Sequence, residues 1–304
     1  MPKSRAMILI LLGAVGMSLA ALFVRLVDQA DGFQILTYRS VSLAGIVALM
    51  ACLRRKSGPI RFLASLDRTD WSMGAVLSLA FTTYVFALLN TSVASALFIL
   101  AAAPLIAAIL AWVWLGERPR PMVWITIALA TAGIAIMADE GIALGQTTGN
   151  LYALISAALF AVMLVIARRS GKSDVLGGTF LGGALSCAIA AQCALTIGDG
   201  LIVSSFDLMI CLVMGAFTIG IGIGLVTWGT PYVPTAEVSL LVLIESVLSP
   251  IWVWAFLGES MTSREILGGS VVMFAVAALA LVSTNKKRAR YARSLNPRGE
   301  NGGS

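Results

Sequence analysis

The sequence predicts an all-α integral membrane protein of ten transmembrane helices, arranged as two inverted five-helix repeats. Three observations predict it. The 304 residues are 59% hydrophobic and only 12% charged, with mean hydropathy +0.94, whereas soluble domains carry about 25% charged residues. Ten apolar runs long enough to cross a bilayer can be drawn, joined by short loops that leave no room for a soluble domain. The tripeptide Leu115-Gly116-Glu117 recurs as Leu257-Gly258-Glu259, 142 residues further on.

The ten runs are Met7–Val27, Gln34–Leu53, Trp71–Leu89, Val93–Leu115, Met122–Ala138, Leu151–Ala167, Val175–Ile197, Phe206–Trp228, Thr235–Leu257 and Ile266–Ser283. The first follows Lys3 and Arg5 in the manner of a signal peptide. Its length is that of a full span and nine more follow, so it reads as a retained helix. Charge sets the direction. With the N-terminus inside, the loops on that side hold every lysine and arginine of the 21 except Arg25, Arg39 and Arg264. The opposite loops hold Asp28, Asp31, Asp139, Glu140, Asp199, Asp207, Glu259 and Glu265. Basic residues mark cytoplasmic loops, so both termini are expected in the cytoplasm and the chain in a bacterial-type inner membrane. The net charge of +6 therefore reports topology, and no nucleic-acid partner is expected.

The repeat extends beyond the tripeptide. Ala94, Ile109 and Trp112 match Ala236, Ile251 and Trp254 at the same offset, and the stretch ending at Arg25 resembles the one ending at Arg168. The expected organisation is a first repeat over 6–138, a second over 149–284 and a basic cytoplasmic tail over 285–304. Five spans per half is an odd number, so the halves must face opposite ways. That is the usual architecture of secondary transporters, with the substrate site near midplane at the repeat interface.

Glu245 lies near the middle of the ninth span. A charge there costs roughly 2.5–3.5 kcal/mol on insertion scales, so the residue is a candidate for substrate binding or proton coupling. The alternative is a protonated acid bonded to a neighbouring helix. Its counterpart in the first half is Ala103, so the repeat does not require it. Arg39, five residues into the second span after Tyr38, either binds a carboxylate or pairs with an acid. Arg25, at the end of the first span, reads as snorkelling to water. Tyr38, Tyr84 and Trp228 are candidates to line a cavity. Pro104 and Pro250 interrupt the fourth and ninth spans, and Gly222 and Gly224 sit in the glycine-rich eighth, where the alternative to a hinge is close helix packing. The two-residue glycine spacing there also suggests a local irregularity.

Histidine is absent, and Cys52, Cys187, Cys193 and Cys211 lie in apolar runs without a CxxC pair, so neither a metal nor a cofactor is expected. Gly171-Lys172-Ser173 resembles the end of a phosphate loop but lacks the first glycine, and no nucleophile–base–acid set is present.

Trp112–Glu117 (WVWLGE), Trp252–Glu259 (WVWAFLGE) and the Tyr38-Arg39 pair together resemble the EamA-type members of the drug/metabolite transporter superfamily, over residues 6–284. The resemblance implies ten helices in two inverted repeats and carriage of small metabolites, amino-acid-like or amphipathic, by alternating access. In that family a proline commonly follows the acid of the ninth helix; here Ser246 follows Glu245 and the proline comes at Pro250, so a kink one turn later is expected. The expected function is a carrier of a small polar or amphipathic metabolite, an exporter either proton-coupled or facilitative, whose partners are the substrate and the lipid bilayer. The alternatives are a membrane-embedded lipid-modifying enzyme or a non-transport membrane protein, and the loops offer the former only scattered acids.

Overall fold

The computed structural model describes residues 2–56, 58–116, 121–171, 174–233 and 235–278. The long helices are α1 (Lys3–Leu26), α2 (Gly32–Arg55), α3 (Arg68–Asn90), α4 (Val93–Leu115), α5 (Pro121–Ala143), α6 (Thr147–Arg169), α7 (Leu176–Thr196) and α8 (Ser205–Tyr232). They are followed by α9, in two pieces, Thr235–Val242 and Ile244–Leu257, and by α10 over 263–278. A short helix, Pro59–Ala64, lies between α2 and α3. Eight of these helices are long and apolar enough to cross a membrane; α5 carries a shorter apolar stretch, Pro121–Met137, and α10 is described only to residue 278.

Hydrogen bonds between helix ends fix how the chain runs. The C-terminal end of α1 (Arg25) meets Thr91, between α3 and α4, and Glu259 beyond α9. Thr91 donates to Asn150 and Gln146 at the start of α6. Gln34, at the start of α2, donates to Gly200 and Ile202 between α7 and α8, and Arg264 beside α10 pairs with Asp139 in α5. All of these groups share one face, the upper face, which the charge pattern expects outside. The lower face gathers Lys3 with Glu237, and Arg54 and Arg55 with Asp174. The C-terminal end of α1 and the N-terminal end of α6 therefore share a face, so these equivalent helices run in opposite directions.

Packing repeats when the halves are exchanged. Helix α1 packs on α8 as α6 packs on α3, α8 on α2 as α3 on α7, and α9 on α1 as α4 on α6. Helices α5 and α10 meet through Gly133 and Gly268, each facing the other's carbonyl. The small residues let backbones approach closely where lipid supplies no hydrophobic drive between helices. At Gly215 a Cβ would stand 1.9 Å from the Arg39 carbonyl oxygen, so only glycine admits α8 to α2 there.

The helix interruptions follow the repeat rather than the prolines. Helix α4 breaks at Ala101 and Ala102, just before Pro104. Helix α9 breaks at Leu243, exactly 142 residues after Ala101 in a place where no proline stands nearby. Pro250 lies inside the continuous segment Ile244–Leu257, so the kink expected there is instead about two turns earlier, two residues before Glu245. Helix α1 is also interrupted, at Leu19, and the Ser18 carbonyl accepts the Ser249 hydroxyl at 2.7 Å, which satisfies a backbone group the break leaves free. The irregularity expected in α8 is a π-helical stretch, Met214–Ile221. Gly222 packs on Met17 and Gly224 on Met50, which is the close-packing role.

The repeated Leu-Gly-Glu now has a local reason. Gly116 and Gly258 both cap their helices in the left-handed region, at φ 68° and 72°, where a side chain would be strained. Asp207, at the start of α8, is fully buried and accepts the backbone N–H groups of Asp28, Gln29 and Ala30, tying down the α1–α2 link. Asp207→Ala would leave three donors without their acceptor and is expected to cost about 3 kcal/mol, read from thermal unfolding in detergent. A loss below about 0.5 kcal/mol, the level of an ordinary surface substitution, would show that water replaces the carboxylate.

Candidate functional site

Three of the residues singled out by sequence come together in the interior. Arg39 of α2 is fully buried, and none of its three guanidinium nitrogens has a hydrogen-bond partner among the described residues. Its guanidinium carbon lies 5.3 Å from the centre of the Phe81 ring in α3, a cation–π contact that offsets only part of the lost hydration. Tyr84, one turn along α3 and 8% exposed, lies within electrostatic reach of both Arg39 and Glu245. Glu245 sits in the first turn of Ile244–Leu257, half-buried, and makes no hydrogen bond or ion pair among the described residues. Arg39 and Glu245 thus both lie near Tyr84 and make no ion pair with each other.

The break in α9 explains where Glu245 can sit. Ending one helical piece at Val242 and starting another at Ile244 exposes backbone N–H groups at the new N-terminus, whose dipole favours a negative charge. The surroundings give the carboxylate space. The upper pieces of α4 (Val93–Leu100) and α9 (Ile244–Leu257) pack on each other, while the lower pieces part: Ala103–Leu115 packs on α5 and α6, and Thr235–Val242 on α1. Helix α9 is accordingly the least covered of the eight long spans, with 17% of its most apolar window buried against 39–56% in the others.

The remaining candidates fall elsewhere. The Tyr38 hydroxyl donates to the Leu201 carbonyl at the upper end of α2, so it braces the α7–α8 link. Trp228 is 46% exposed near the lower end of α8. Pro104 is the second residue of Ala103–Leu115 and marks the lower side of the α4 break, and Pro250 is buried in α9. No three histidine, cysteine, aspartate or glutamate side chains gather into a metal-binding group among the described residues.

The sequence reading missed the polar layer that closes the upper face. Arg25 is only partly exposed, and its guanidinium is engaged: Nε and Nη2 grip the Glu259 carboxylate at 2.9 and 3.3 Å, and Nη2 also donates to the Thr91 carbonyl at 2.8 Å. Glu259 accepts the Val93 N–H at 2.9 Å. Beside it Glu265, 3% exposed, accepts from Ser92, from Ser95 at 2.9 Å and from the Thr262 N–H at 2.8 Å. One signal was legible: Thr262-x-x-Glu265 is a capping-box spacing. The Arg25–Glu259 contact spans 234 residues and left no such trace. Glu117, the counterpart of Glu259, lies outside the described residues.

An all-helical bundle with a broken helix in each half, and beside one break an acid that makes no ion pair among the described residues, fits a multi-pass membrane protein of the transporter class. The model of the EamA-like transporter family matches residues 4–138 and again 147–281, and the chain belongs to that family. It is 25% identical over 277 residues to an uncharacterized transporter of Archaeoglobus fulgidus, across 88% of this chain and 93% of that one. A crystal structure 20% identical in sequence shares the fold, with a TM-score of 0.63 over 93% of this chain and 98% of the other.

Proposed function

We propose that the protein is a secondary transporter that carries a small zwitterionic, amino-acid-like metabolite across the inner membrane by alternating access, in the direction of export. Ten spans form two inverted repeats, 6–138 and 149–284, with both termini and the tail 285–304 in the cytoplasm. The observation that carries the substrate reading is the pair of opposite charges, Arg39 and Glu245, each without a hydrogen-bond or ion-pair partner among the described residues and both near Tyr84. A ligand with a carboxylate and an ammonium group would satisfy both, and a charge-assisted contact of this kind contributes about 1.5–3 kcal/mol. The packed upper pieces and parted lower pieces of α4 and α9 support a one-sided state of an alternating-access cycle. Membership of a transporter family and the opposed charges together support a carrier.

Thermal unfolding of the purified protein against a panel of amino acids tests the reading, because a ligand that binds the folded state raises its apparent stability. The expected result is stabilisation by at least one free amino acid, and loss of that effect with its methyl ester and with its decarboxylated amine. Equal stabilisation by the ester would remove Arg39 from the site. Accumulation driven by a pH gradient alone, abolished by an uncoupler, separates proton-coupled from facilitative carriage.

A further inference from the structure

We propose that the Arg25–Glu259 pair latches the upper gate by holding the ends of α1 and α9 to Thr91 and Val93 at the start of α4, and that α1 and α9 open it as one body. Glu259 joins three elements at once: its carboxylate holds Arg25 at the end of α1 and the Val93 N–H at the start of α4, while Arg25 reaches the Thr91 carbonyl in the α3–α4 link. The ion pair is partly shielded, with side chains 24% and 30% exposed, and its fork geometry fixes orientation as well as charge. Directly beneath, Ala94, Pro250 and Val253 join Glu259 around a cavity of only 10 Å³. Above and beside the pair opens a polar recess of about 430 Å³ that includes Arg25, Asn90, Gln146 and Glu259. The latch is the boundary between the two.

Helices α1 and α9 are fastened along their whole length. Lys3 pairs with Glu237 at 2.7 Å on the lower face, Trp252 donates to the Ser18 hydroxyl at 3.0 Å in the middle, and Arg25 grips Glu259 on the upper face. All three contacts have the same separation of 234 residues, so the two helices run parallel and in register. Between α4 and α9, by contrast, the main contact is between the upper pieces. A motion that opens the upper face therefore parts α4 from α9 and keeps α1 with α9.

The proposal rests on the transporter class and is independent of the substrate, so its test uses none. In right-side-out vesicles, with Cys52, Cys187, Cys193 and Cys211 replaced by alanine, Ala94→Cys reports access to a membrane-impermeant maleimide from the upper side. Labelling is expected to be slow in this background and roughly tenfold faster with Glu259→Gln, the loss of one charge-assisted contact. The charge exchange Arg25→Glu with Glu259→Arg is expected to leave labelling fast, because a carboxylate at 25 cannot donate to the Thr91 carbonyl and a guanidinium at 259 cannot accept the Val93 N–H. Should Glu259→Gln fail to reach the membrane, Arg25→Lys keeps the charge, loses the fork and is expected to open the gate in part. Unchanged labelling in these variants overturns the latch. A disulfide between Ser18→Cys and Ser249→Cys is expected to leave the faster labelling intact; if it slows labelling, α1 and α9 do not move together.

Discussion

Glu245→Gln is expected to reduce transport in proteoliposomes by roughly 10- to 150-fold, the equivalent of losing one charge-assisted contact of about 1.5–3 kcal/mol, with folding unchanged. Glutamine keeps the size and polarity of the side chain and removes only its charge. Because Glu245 makes no hydrogen bond or ion pair among the described residues, no structural contact depends on that charge. The variant should therefore match the parent in expression, gel-filtration profile and unfolding temperature. Full transport by Glu245→Gln would remove the residue from the substrate and coupling path. A collapse of stability would instead assign it a role in holding α9, against the geometry at the Leu243 break.

Arg39→Leu is expected to act in two opposite directions. Leu181 stands where Arg39 would in the second half; each lies against a glycine of the neighbouring helix, Leu181 at Gly74 of α3 and Arg39, through its backbone, at Gly215 of α8. A leucine thus occupies the corresponding position of the other half. Replacing a buried, unpaired charge by an apolar side chain removes its desolvation cost, and stabilisation of about 1–3 kcal/mol is expected in detergent unfolding. Ligand-induced stabilisation should disappear in the same variant. A less stable Arg39→Leu would mark the guanidinium as a structural strut, and the substrate reading would then rest on Glu245 alone. Gain of stability with loss of binding is the pattern of a site maintained for function at the expense of the fold.

Much of the architecture was legible in the chain. Eight of the expected spans coincide with helices long and apolar enough to cross a membrane, and the capping pairs Asp31 with Gln34 and Asp67 with Asp70 start α2 and α3 where apolar runs begin. The offset of 142 predicted more than it was asked to: it relates Val93–Leu100 to Thr235–Val242 and the break at Ala101 to that at Leu243. Reading the ninth helix by its proline misplaced the kink, because a proline inside a helix marks only a local cost, while the break is shared by both halves of the fold. Glu245, Arg39 and Tyr84 were visible as polar groups in apolar surroundings, a property of sequence alone. Tyr38 carried the same signal and turned out to brace a loop through Leu201.

What hydropathy and charge settled is the class of molecule: apolar runs of span length, the acidic and basic loops, and a motif repeated in both halves. These are local properties, since a bilayer acts on each segment by its own composition. Which groups meet was decided by the tertiary structure. Arg25 finds Glu259 across 234 residues, Ser249 caps a carbonyl freed in α1, and Arg39 makes no hydrogen bond among the described residues where α2 meets α3 and α8. Pairing depends on helix register and on the close approach that glycines such as Gly215 permit, and neither is encoded by the composition of any one segment.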